Sequence, residues 1–339
     1  MKIAGFDIGG ANTDLAIIDF SKNEKNILVD FKYLPMWSDN HRLGEVLLKL
    51  ISENDDLNNI DAVGISMTGE LVDAYNKKEE GVLDISKKVN DIFDVPIGFV
   101  GIDRVLNYDE LLEDPSKVAA ANWIATSSII SKIDENCIFI DTGSTTTDII
   151  PIKNGKQCAK GSSDFERLAT GELVYTGALR TNLSTFLNRI KLEDKEYSLA
   201  SELFATTADV YNVLGKISKE DYSCSTSDGA GKSKKESMIR ISRVLCADRD
   251  ILTPEQIIAI SNFAHQKQIQ QIAEGLKKVS ERENLDKVIT TGLGGEILAN
   301  EACKLLNLEH VSMNEFYTKE ESVVAPAIGT AILMKKHLI

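Results

Sequence analysis

The 339-residue sequence contains few of the residues that typify disulfide-linked, zinc-binding or membrane proteins. Its five cysteines are odd in number, scattered and free of CxxC spacing, and its four histidines lack the spacing of metal ligands. We therefore expect reduced thiols and no zinc site. The sequence has no run of about 18 apolar residues and no basic and apolar leader at its N-terminus. These absences favour a soluble protein of the cytoplasm with no membrane partner.

Basic residues are the minority among the charged ones. Lysine and arginine total 38 against 52 for aspartate and glutamate, and the formal net charge is -14. A surface of this sign repels phosphate, which argues against a nucleic-acid partner. Hydrophobic residues make up 43% of a chain that is longer than one core usually supports. We expect two domains, and the sequence carries no signal for an oligomeric state.

Strand and helix patterns alternate along the chain. Apolar runs at residues 2–6 and 15–18 flank a glycine-containing turn and predict a β-hairpin, and residues 62–67 read as a buried strand. Thr253 and Gln256, on either side of a proline, form a capping-box pattern that predicts the start of a long helix. Further predicted elements are a helix at 43–51, strands at 137–140 and 287–290, and a helix at 297–306. A polar stretch at 222–236 is predicted to be a mobile surface loop.

One pattern occurs twice. The segments FDIGGANTDL from Phe6 and IDTGSTTTDI from Ile140 each contain a strand-terminal aspartate, a glycine two residues later and a second aspartate seven residues after the first. These positions are Asp7, Gly9 and Asp14 in the first segment, and Asp141, Gly143 and Asp148 in the second. The duplication predicts the same phosphate-binding hairpin in both halves of the chain.

These hairpins have the composition that an anion site needs. Glycine lets backbone N–H groups approach an anion closely, and hydroxyl and amide side chains add further donors. A third glycine turn at residues 292–295 follows a predicted strand and opens a predicted helix, whose N-terminus favours anions. The candidate phosphate-binding residues are Gly9, Gly10, Ala11, Asn12, Thr13, Asp14, Gly143, Ser144, Thr145, Thr146, Asp148, Gly292, Gly294 and Gly295.

The two strand-terminal aspartates predict a metal ion. A carboxylate beside a phosphate repels it unless a hard cation lies between them, so Asp7 and Asp141 imply Mg²⁺, held through water. Both are therefore candidate catalytic residues as well as candidate metal ligands.

The hairpins and the glycine turn resemble those of the superfamily of sugar kinases, acetate kinases, heat-shock ATPases and actin. The resemblance implies an α/β fold of two ribonuclease-H-like, actin-like ATPase domains with an interdomain cleft. A polar stretch near residue 132 divides the chain into an N-terminal domain at 1–132 and a C-terminal domain with inserted helices at 133–324. The resemblance further implies a C-terminal helix, at about 325–339, that packs back on the N-terminal domain.

Longer motifs resemble a narrower group. MTGELVDAY from Met67, AAANWIAT from Ala119, TTTDIIPI from Thr145, FERLATGELVYTGALRTNL from Phe165 and FATTADVYNVLG from Phe204 are similar to the hydantoinase/oxoprolinase-related branch found beside tetrahydromethanopterin-linked one-carbon genes. This resemblance implies an alkyl transferase of methanofuran biosynthesis. It would condense [5-(aminomethyl)furan-3-yl]methyl diphosphate with γ-glutamyltyramine, displacing pyrophosphate to form an aryl ether.

That reaction needs further residues. A phenol is a poor nucleophile at neutral pH, so a carboxylate base would help it, and Glu70, directly after the strand at 62–67, is the first candidate. Asp73 is the second. The substrate ammonium group could meet Asp209 or Glu172, and the glutamyl carboxylate could pair with Arg167 or Arg180. Each of these residues could instead have a structural role as a cap or a surface charge.

Two other functions remain open from sequence. The same three loops would serve an ATP-dependent kinase of a small, sugar-like molecule. They would also serve a non-catalytic ATP-binding regulator, because fold does not fix function. Alcohol-dependent ADP release would identify the kinase, and an ATP-dependent shape change without product would identify the regulator.

Overall fold

The computed structural model describes residues 1–21, 27–119 and 121–339. The strands are β1 (Lys2–Ile8), β2 (Asn12–Asp19), β3 (Ile27–Tyr33), β4 (Ala62–Met67), β5 (Ile97–Val100), β6 (Val105–Leu106), β7 (Cys137–Thr142), β8 (Thr147–Lys153), β9 (Lys156–Gln157), β10 (Leu173–Val174), β11 (Arg189–Leu192), β12 (Lys195–Ser198), β13 (Lys287–Thr291) and β14 (Glu309–Ser312). The helices are α1 (Met36–Asp39), α2 (Leu43–Asn54), α3 (Lys78–Asn90), α4 (Tyr108–Glu113), α5 (Asn122–Ile130), α6 (Asp164–Thr170), α7 (Thr207–Leu214), α8 (Lys234–Arg243), α9 (Pro254–Glu283), α10 (Asn300–Leu305), α11 (Lys319–Val323) and α12 (Ala325–Leu338).

The described chain divides into two compact units. The first contains Met1–Asn136, Ile152–Asp164 and Asn314–Ile339, and the second contains Cys137–Pro151 and Phe165–Met313. The domain limits drawn from sequence, 1–132 and 133–324, remain predictions. The sequence pattern gave no sign that residues 152–164 belong with the first unit.

The first unit is built on a sheet with the strand order β3-β2-β1-β4-β5-β6. β1 pairs with β2 in antiparallel fashion and with β4 in parallel fashion, which sets Asp7 beside Ser66. Leu47 of α2 and Ile85 of α3 are fully buried in the same core cluster as Phe6 and Ile65 of the sheet. Each such side chain contributes about 1.5–3 kcal/mol of burial free energy, so this packing fixes the sheet edge at which β1 and β4 end.

The second unit repeats this order with different strands. Its sheet runs β10-β8-β7-β13-β14, and β13 is parallel to both β7 and β14. β7 and β8 therefore occupy the positions that β1 and β2 hold in the first unit, and β13 takes the position of β4. The hairpin that sequence comparison finds twice thus lies at the same place in two sheets of the same topology.

The long helix α9 begins as its sequence predicts. Thr253 Oγ1 accepts a hydrogen bond from Gln256 N, and Gln256 Oε1 accepts one from Thr253 N, which completes the capping box. The strand predicted at 62–67 is also confirmed, as β4. Across the described ranges, no helix is both long enough and apolar enough to cross a bilayer.

The C-terminal helix α12 packs closely on β1 and α5 because glycines leave room for it. A Cβ at Gly5 would lie 2.2 Å from Ala327 O, and a Cβ at Gly329 would lie 2.0 Å from Ala125 O. Both are backbone atoms, which cannot move away by a change of side-chain rotamer. The two glycines therefore set the distance of α12 from its neighbours, and α12 carries Thr330 to the end of β4.

Gly329→Ala is expected to lower the free energy of unfolding by about 3 kcal/mol, because the helix must move away from α5 to admit the methyl group. Gly44→Ala in α2 is the matched control. Its Cβ would meet the flexible Ile92 side chain at 3.3 Å, so we expect a change within about 1 kcal/mol. Urea unfolding of both variants measures the difference, and equal stabilities would contradict this account of α12.

Candidate active site

The first hairpin joins β1 to β2 through the turn Gly9-Gly10-Ala11. Gly9 N donates to Asn12 O at 2.9 Å and closes the turn. The backbone carbonyls of Gly10 and Ala11 accept hydrogen bonds from Met36 N, at the start of α1, and from Leu34 N, each at 2.9 Å. Asp7 and Asp14 are opposite each other in the β1–β2 register. The turn is thereby fixed from one side by its carbonyl groups.

The second hairpin, between β7 and β8, is closed by the same bond. Gly143 N donates to Thr146 O at 2.9 Å, which matches the Gly9–Asn12 contact in both atoms and distance. Gly143 O and Ser144 O accept from Ala178 N, Leu179 N and Arg180 N, each at 2.9 Å. The two segments that repeat in the sequence therefore also share the same backbone hydrogen bond.

The N–H groups at the two tips remain available. Within the described ranges, the backbone N–H groups of Gly10 and Ala11, and those of Ser144 and Thr145, donate to no protein acceptor. All four residues are partly exposed. A turn whose carbonyls are bound and whose N–H groups have no protein acceptor can act as a nest for an anion.

Asp7 is held by a relay of hydroxyl groups. Ser66 Oγ donates to Asp7 Oδ1 at 2.7 Å, and Thr330 Oγ1 of α12 donates to Ser66 Oγ at 2.9 Å. Asn122 Nδ2 of α5 lies 3.5 Å from Asp7 Oδ2. Sequence reasoning did not find Ser66, Thr330 or Asn122. Only Asn122 had a signal, because it lies in the AAANWIAT motif.

The glycine turn after β13 lies against the second hairpin. Gly294 N donates to Thr142 O at 2.8 Å, and a Cβ on Gly294 would lie 2.3 Å from Thr142 Cγ2. Gly292 has a φ of +83°, and its Cβ would lie 2.3 Å from Asp141 Oδ1. The second unit thus brings two of the three predicted loops together around Asp141.

The segment after this turn differs from the predicted helix at 297–306. A π-helical turn, Gly295–Ala299, comes first, and α10 continues from Asn300 to Leu305. Gly295 N donates within the turn, to Gly292 O at 3.0 Å. Gly294 and Gly295 are buried, whereas Gly292 is partly exposed, so a ligand would meet the turn at its Gly292 end.

Glu70 lies in a 3-10 turn, Gly69–Leu71, directly after β4. Its exposed fraction is 1%, whereas Asp73 is exposed. α3 approaches Glu70 closely, since a Cβ on Gly81 would lie 2.4 Å from Glu70 O. This burial favours Glu70 over Asp73 as a positioned carboxylate, although its role as a base stays a prediction.

Three predicted polar residues in the second unit bind protein groups. Arg167 Nη2 forms an ion pair with Asp148 Oδ1 at 2.6 Å and donates to Glu172 O at 3.0 Å. The Glu172 carboxylate accepts from Thr170 Oγ1 at 2.8 Å and pairs with Arg282. These contacts give Asp148, Arg167 and Glu172 a structural role in holding α6 to β8 and β10. Their predicted substrate contacts remain untested, while Arg180 is exposed.

Asp209 is fully buried and has three partners. Its Oδ1 accepts from Tyr222 OH at 2.8 Å and from Arg240 Nε at 2.8 Å, and its Oδ2 accepts from Thr206 N at 3.2 Å as part of a capping box. These contacts give Asp209 a structural role, and its predicted contact with the substrate ammonium group remains untested.

The same network holds the segment predicted to be mobile, residues 222–236. Arg240 also pairs with Asp228 at 3.2 Å, and Arg243 does so at 2.9 Å. Lys232 Nζ donates to Tyr222 O at 2.7 Å and lies over the Tyr222 ring. The polar composition of the segment thus serves ion pairs and hydrogen bonds, and the mobility of this loop stays a prediction.

The carboxylates present fit a magnesium ion held through water. Among the residues that the structure describes, no group of three or more His, Cys, Asp or Glu side chains forms a metal-binding cluster. Protein Mg²⁺ sites characteristically use one or two carboxylates and keep several waters. Asp7, with its orientation fixed by Ser66, and Asp141, beside Gly292, are of this kind.

Comparison with known proteins finds one matching family and two close relatives. The model of the hydantoinase/oxoprolinase family matches residues 61–337. The chain is 40% identical over 340 residues to the (4-{4-[2-(γ-L-glutamylamino)ethyl]phenoxymethyl}furan-2-yl)methanamine synthase of Methanocaldococcus jannaschii, covering 100% of this chain and 99% of the relative. It is 43% identical over 213 residues to the protein of the same name from Methanococcus vannielii, covering 62% of this chain and 96% of the relative.

A solved structure shares the fold. A ROK family glucokinase from Streptomyces griseus, in complex with glucose and AMPPNP, superposes with a TM-score of 0.51 and 14% sequence identity over 99% of this chain and 100% of the glucokinase. A sequence identity of 14% is evidence for a shared fold only. Together with the two sheets of equal strand order, it confirms the predicted α/β fold of two actin-like ATPase domains.

Proposed function

Because this chain belongs to the hydantoinase/oxoprolinase family, we propose that it is the enzyme that joins furan to phenol in methanofuran biosynthesis. The proposal rests on 40% identity over the whole chain to the M. jannaschii synthase, whose name describes a furan joined to a phenol oxygen through a methylene group. The proposed substrates are [5-(aminomethyl)furan-3-yl]methyl diphosphate and γ-glutamyltyramine. The proposed products are the aryl ether and pyrophosphate.

The reaction is a substitution at carbon. The bond between the furanylmethyl carbon and the diphosphate oxygen breaks, and its electron pair leaves with pyrophosphate. The phenol oxygen forms the new bond to that carbon and loses its proton to a base. A furanylmethyl carbon can bear developing positive charge, so the main demand on the protein is to stabilise the departing anion.

The two hairpin tips suit this demand. The N–H groups of Gly10, Ala11, Ser144 and Thr145 are fixed before the reaction, so they can stabilise charge that grows on the leaving oxygen without reorganisation. Asp7 and Asp141 would hold Mg²⁺ through water, and the cation would neutralise charge on the diphosphate when bound. A phosphate-binding site like that of a kinase would thus bind the departing pyrophosphate.

Glu70 is the proposed base. It is buried, and its backbone is fixed between β4 and α3 through the contact with Gly81. A phenol with a reference pKa of about 10 needs such a base at neutral pH. Arg180, which is exposed, is our candidate for pairing with the glutamyl carboxylate.

The direct test incubates the purified protein with both substrates and Mg²⁺, and follows the ether by mass spectrometry and pyrophosphate by an enzymatic assay. We expect the two products to form in equal amounts. Steady ADP release from ATP that depends on an alcohol acceptor, without ether, would instead establish the kinase, which the glucokinase-like fold supports. A shape change with ATP and no product at all would favour the regulator.

Glu70→Gln is expected to lower kcat for ether formation by roughly 10²-fold, because an amide cannot accept the phenol proton. Binding of the diphosphate substrate should change little, since the N–H groups of the hairpins remain. Single-turnover kinetics separate the two effects. Asp73→Asn, three residues away and exposed, is the control and should behave as wild type. Unchanged turnover in Glu70→Gln would reject Glu70 as the base.

A further inference from the structure

Gln268 of α9 is fully buried, and both groups of its side-chain amide form hydrogen bonds within the second unit. Its Nε2 donates to Thr176 Oγ1 at 2.7 Å and to Gly177 O at 3.0 Å. Its Oε1 accepts from Tyr211 OH at 2.6 Å. Exchange of the amide oxygen and nitrogen would set Oε1 against the Gly177 carbonyl oxygen, which cannot donate, so this contact fixes the orientation of the side chain.

The bonds continue from Gln268 into α7 and α9. Tyr211 has one hydroxyl hydrogen, and it goes to Gln268, so the tyrosine oxygen accepts in its 3.3 Å contact with His265 Nδ1. Burial lowers the pKa of His265 to about 4. The ring is therefore neutral at physiological pH, with its hydrogen on Nδ1. His265 thus orients the Tyr211 hydroxyl, and Tyr211 in turn holds the Gln268 oxygen in one position.

Gln268 in turn holds the segment that we call the strap, residues 176–180. Gly177 of the strap packs directly on the second hairpin, since a Cβ there would lie 2.5 Å from Thr145 N. Thr147 Oγ1 donates to Thr176 O at 2.9 Å. The strap residues 178–180 supply the three N–H groups that bind Gly143 O and Ser144 O. The position of the strap therefore sets the direction of the turn.

We propose that Gln268 is a positioning residue for the diphosphate. Through the strap it aims the free N–H groups of Ser144 and Thr145, although it touches no atom of the predicted site itself. Displacement of catalytic donors by about 1 Å is enough to lose much of their effect. The inference rests on the proposed function, in which these N–H groups bind the diphosphate of the substrate and the pyrophosphate product.

The alternative is that Gln268 only stabilises the fold. That role predicts a lower melting temperature and no selective loss of pyrophosphate binding. The positioning role predicts weaker pyrophosphate binding in a protein that is folded at the assay temperature.

The test uses the full-length protein, with pyrophosphate and Mg²⁺ as the probe in isothermal titration calorimetry. Gln268→Leu removes all three bonds, and we expect its Kd for pyrophosphate to rise by about tenfold or more. Gln266→Leu is the matched control, an identical substitution on the exposed face of the same helix, and should bind as wild type. A folded Gln268→Leu protein with wild-type affinity would overturn the proposal.

Gln268→Glu adds a pH readout. As a carboxylate, the new side chain faces the Gly177 carbonyl and cannot donate, so pyrophosphate binding should be weak at pH 8. When protonated it regains one donor, so affinity relative to wild type should recover as the pH falls. A constant ratio to wild type across the pH range would argue against positioning through this amide.

A variant with a smaller change covers the case in which Gln268→Leu does not fold. Thr176→Val keeps the side-chain shape and removes only the hydroxyl that Gln268 binds, and we expect a several-fold weaker pyrophosphate affinity. Wild-type affinity in this variant would overturn the proposal in the same way. The proposed reaction can fail separately, because wild-type protein that binds pyrophosphate but forms no ether refutes the ether synthesis alone. Wild-type protein that does not bind pyrophosphate refutes both.

Discussion

Asp7→Ala and Asp141→Ala are each expected to lower kcat/KM for ether formation by a factor of about 10² to 10³, the loss that follows removal of one group that stabilises charge in a transition state. Each substitution removes a carboxylate at the end of a strand where Mg²⁺ would bind through water. Initial rates of pyrophosphate release measure the effect.

Both variants should remain folded, for a reason visible at Asp7. Ser66 Oγ, which loses its acceptor at Asp7, still has Phe6 O at 3.2 Å. Asp61→Ala is the control, because Asp61 precedes β4 at the opposite end of the same sheet, where it accepts from Lys2 N at 2.7 Å. Its turnover should match wild type. Loss of folding in Asp7→Ala, or near-normal turnover, would contradict the assigned role.

Gly292→Ala is expected to abolish measurable pyrophosphate binding and to lower stability by about 2–4 kcal/mol. Two effects combine in this variant. A left-handed φ of +83° strains any residue with a Cβ, by roughly 1 kcal/mol. The Cβ would also lie 2.3 Å from Asp141 Oδ1 and 2.5 Å from Thr142 O, so either the turn or the aspartate must move.

Gly215→Ala separates these two effects. Gly215 ends α7 with a φ of +67°, and a Cβ there would have nothing within 4 Å. This control should therefore lose only the roughly 1 kcal/mol of backbone strain and should bind pyrophosphate as wild type. Calorimetric binding and thermal unfolding give the comparison. Similar losses in the two variants would show that the contact with Asp141 has no consequence.

Local patterns predicted the parts of the fold that short-range physics determines. The aspartate–glycine turns, the capping box at Thr253 and the buried strand at 62–67 each depend on neighbours within a few residues, and each was found where the sequence placed it. The duplication was also visible in sequence, because both hairpins need glycine and aspartate at the same spacing. In the structure this duplication appears as two equivalent hydrogen bonds that close the hairpins, from Gly9 N to Asn12 O and from Gly143 N to Thr146 O.

Contacts between residues that lie far apart in the chain could not be predicted from the sequence. The hydroxyl relay to Asp7 joins Thr330 to Ser66, which are 264 positions apart. Each lies in a predicted element, but neither pattern marks the residue as a partner of Asp7. Asp209 was predicted to meet a substrate because it lies in the FATTADVYNVLG motif. Its partner Arg240 lies 31 positions away, in a helix whose burial the sequence did not reveal. A lone carboxylate in a motif can serve a ligand or a buried ion pair, and only tertiary structure decides between them.

The most direct measurement of the central claim, that carbon and not phosphorus is attacked, follows a heavy oxygen isotope in the phenol of γ-glutamyltyramine. The labelled phenol, the furanylmethyl diphosphate and Mg²⁺ are incubated with the protein, and the products are analysed by mass spectrometry. The account predicts that the label is retained in the ether and is absent from pyrophosphate. Label recovered in a phosphorylated phenol, or an ether without label, would contradict it.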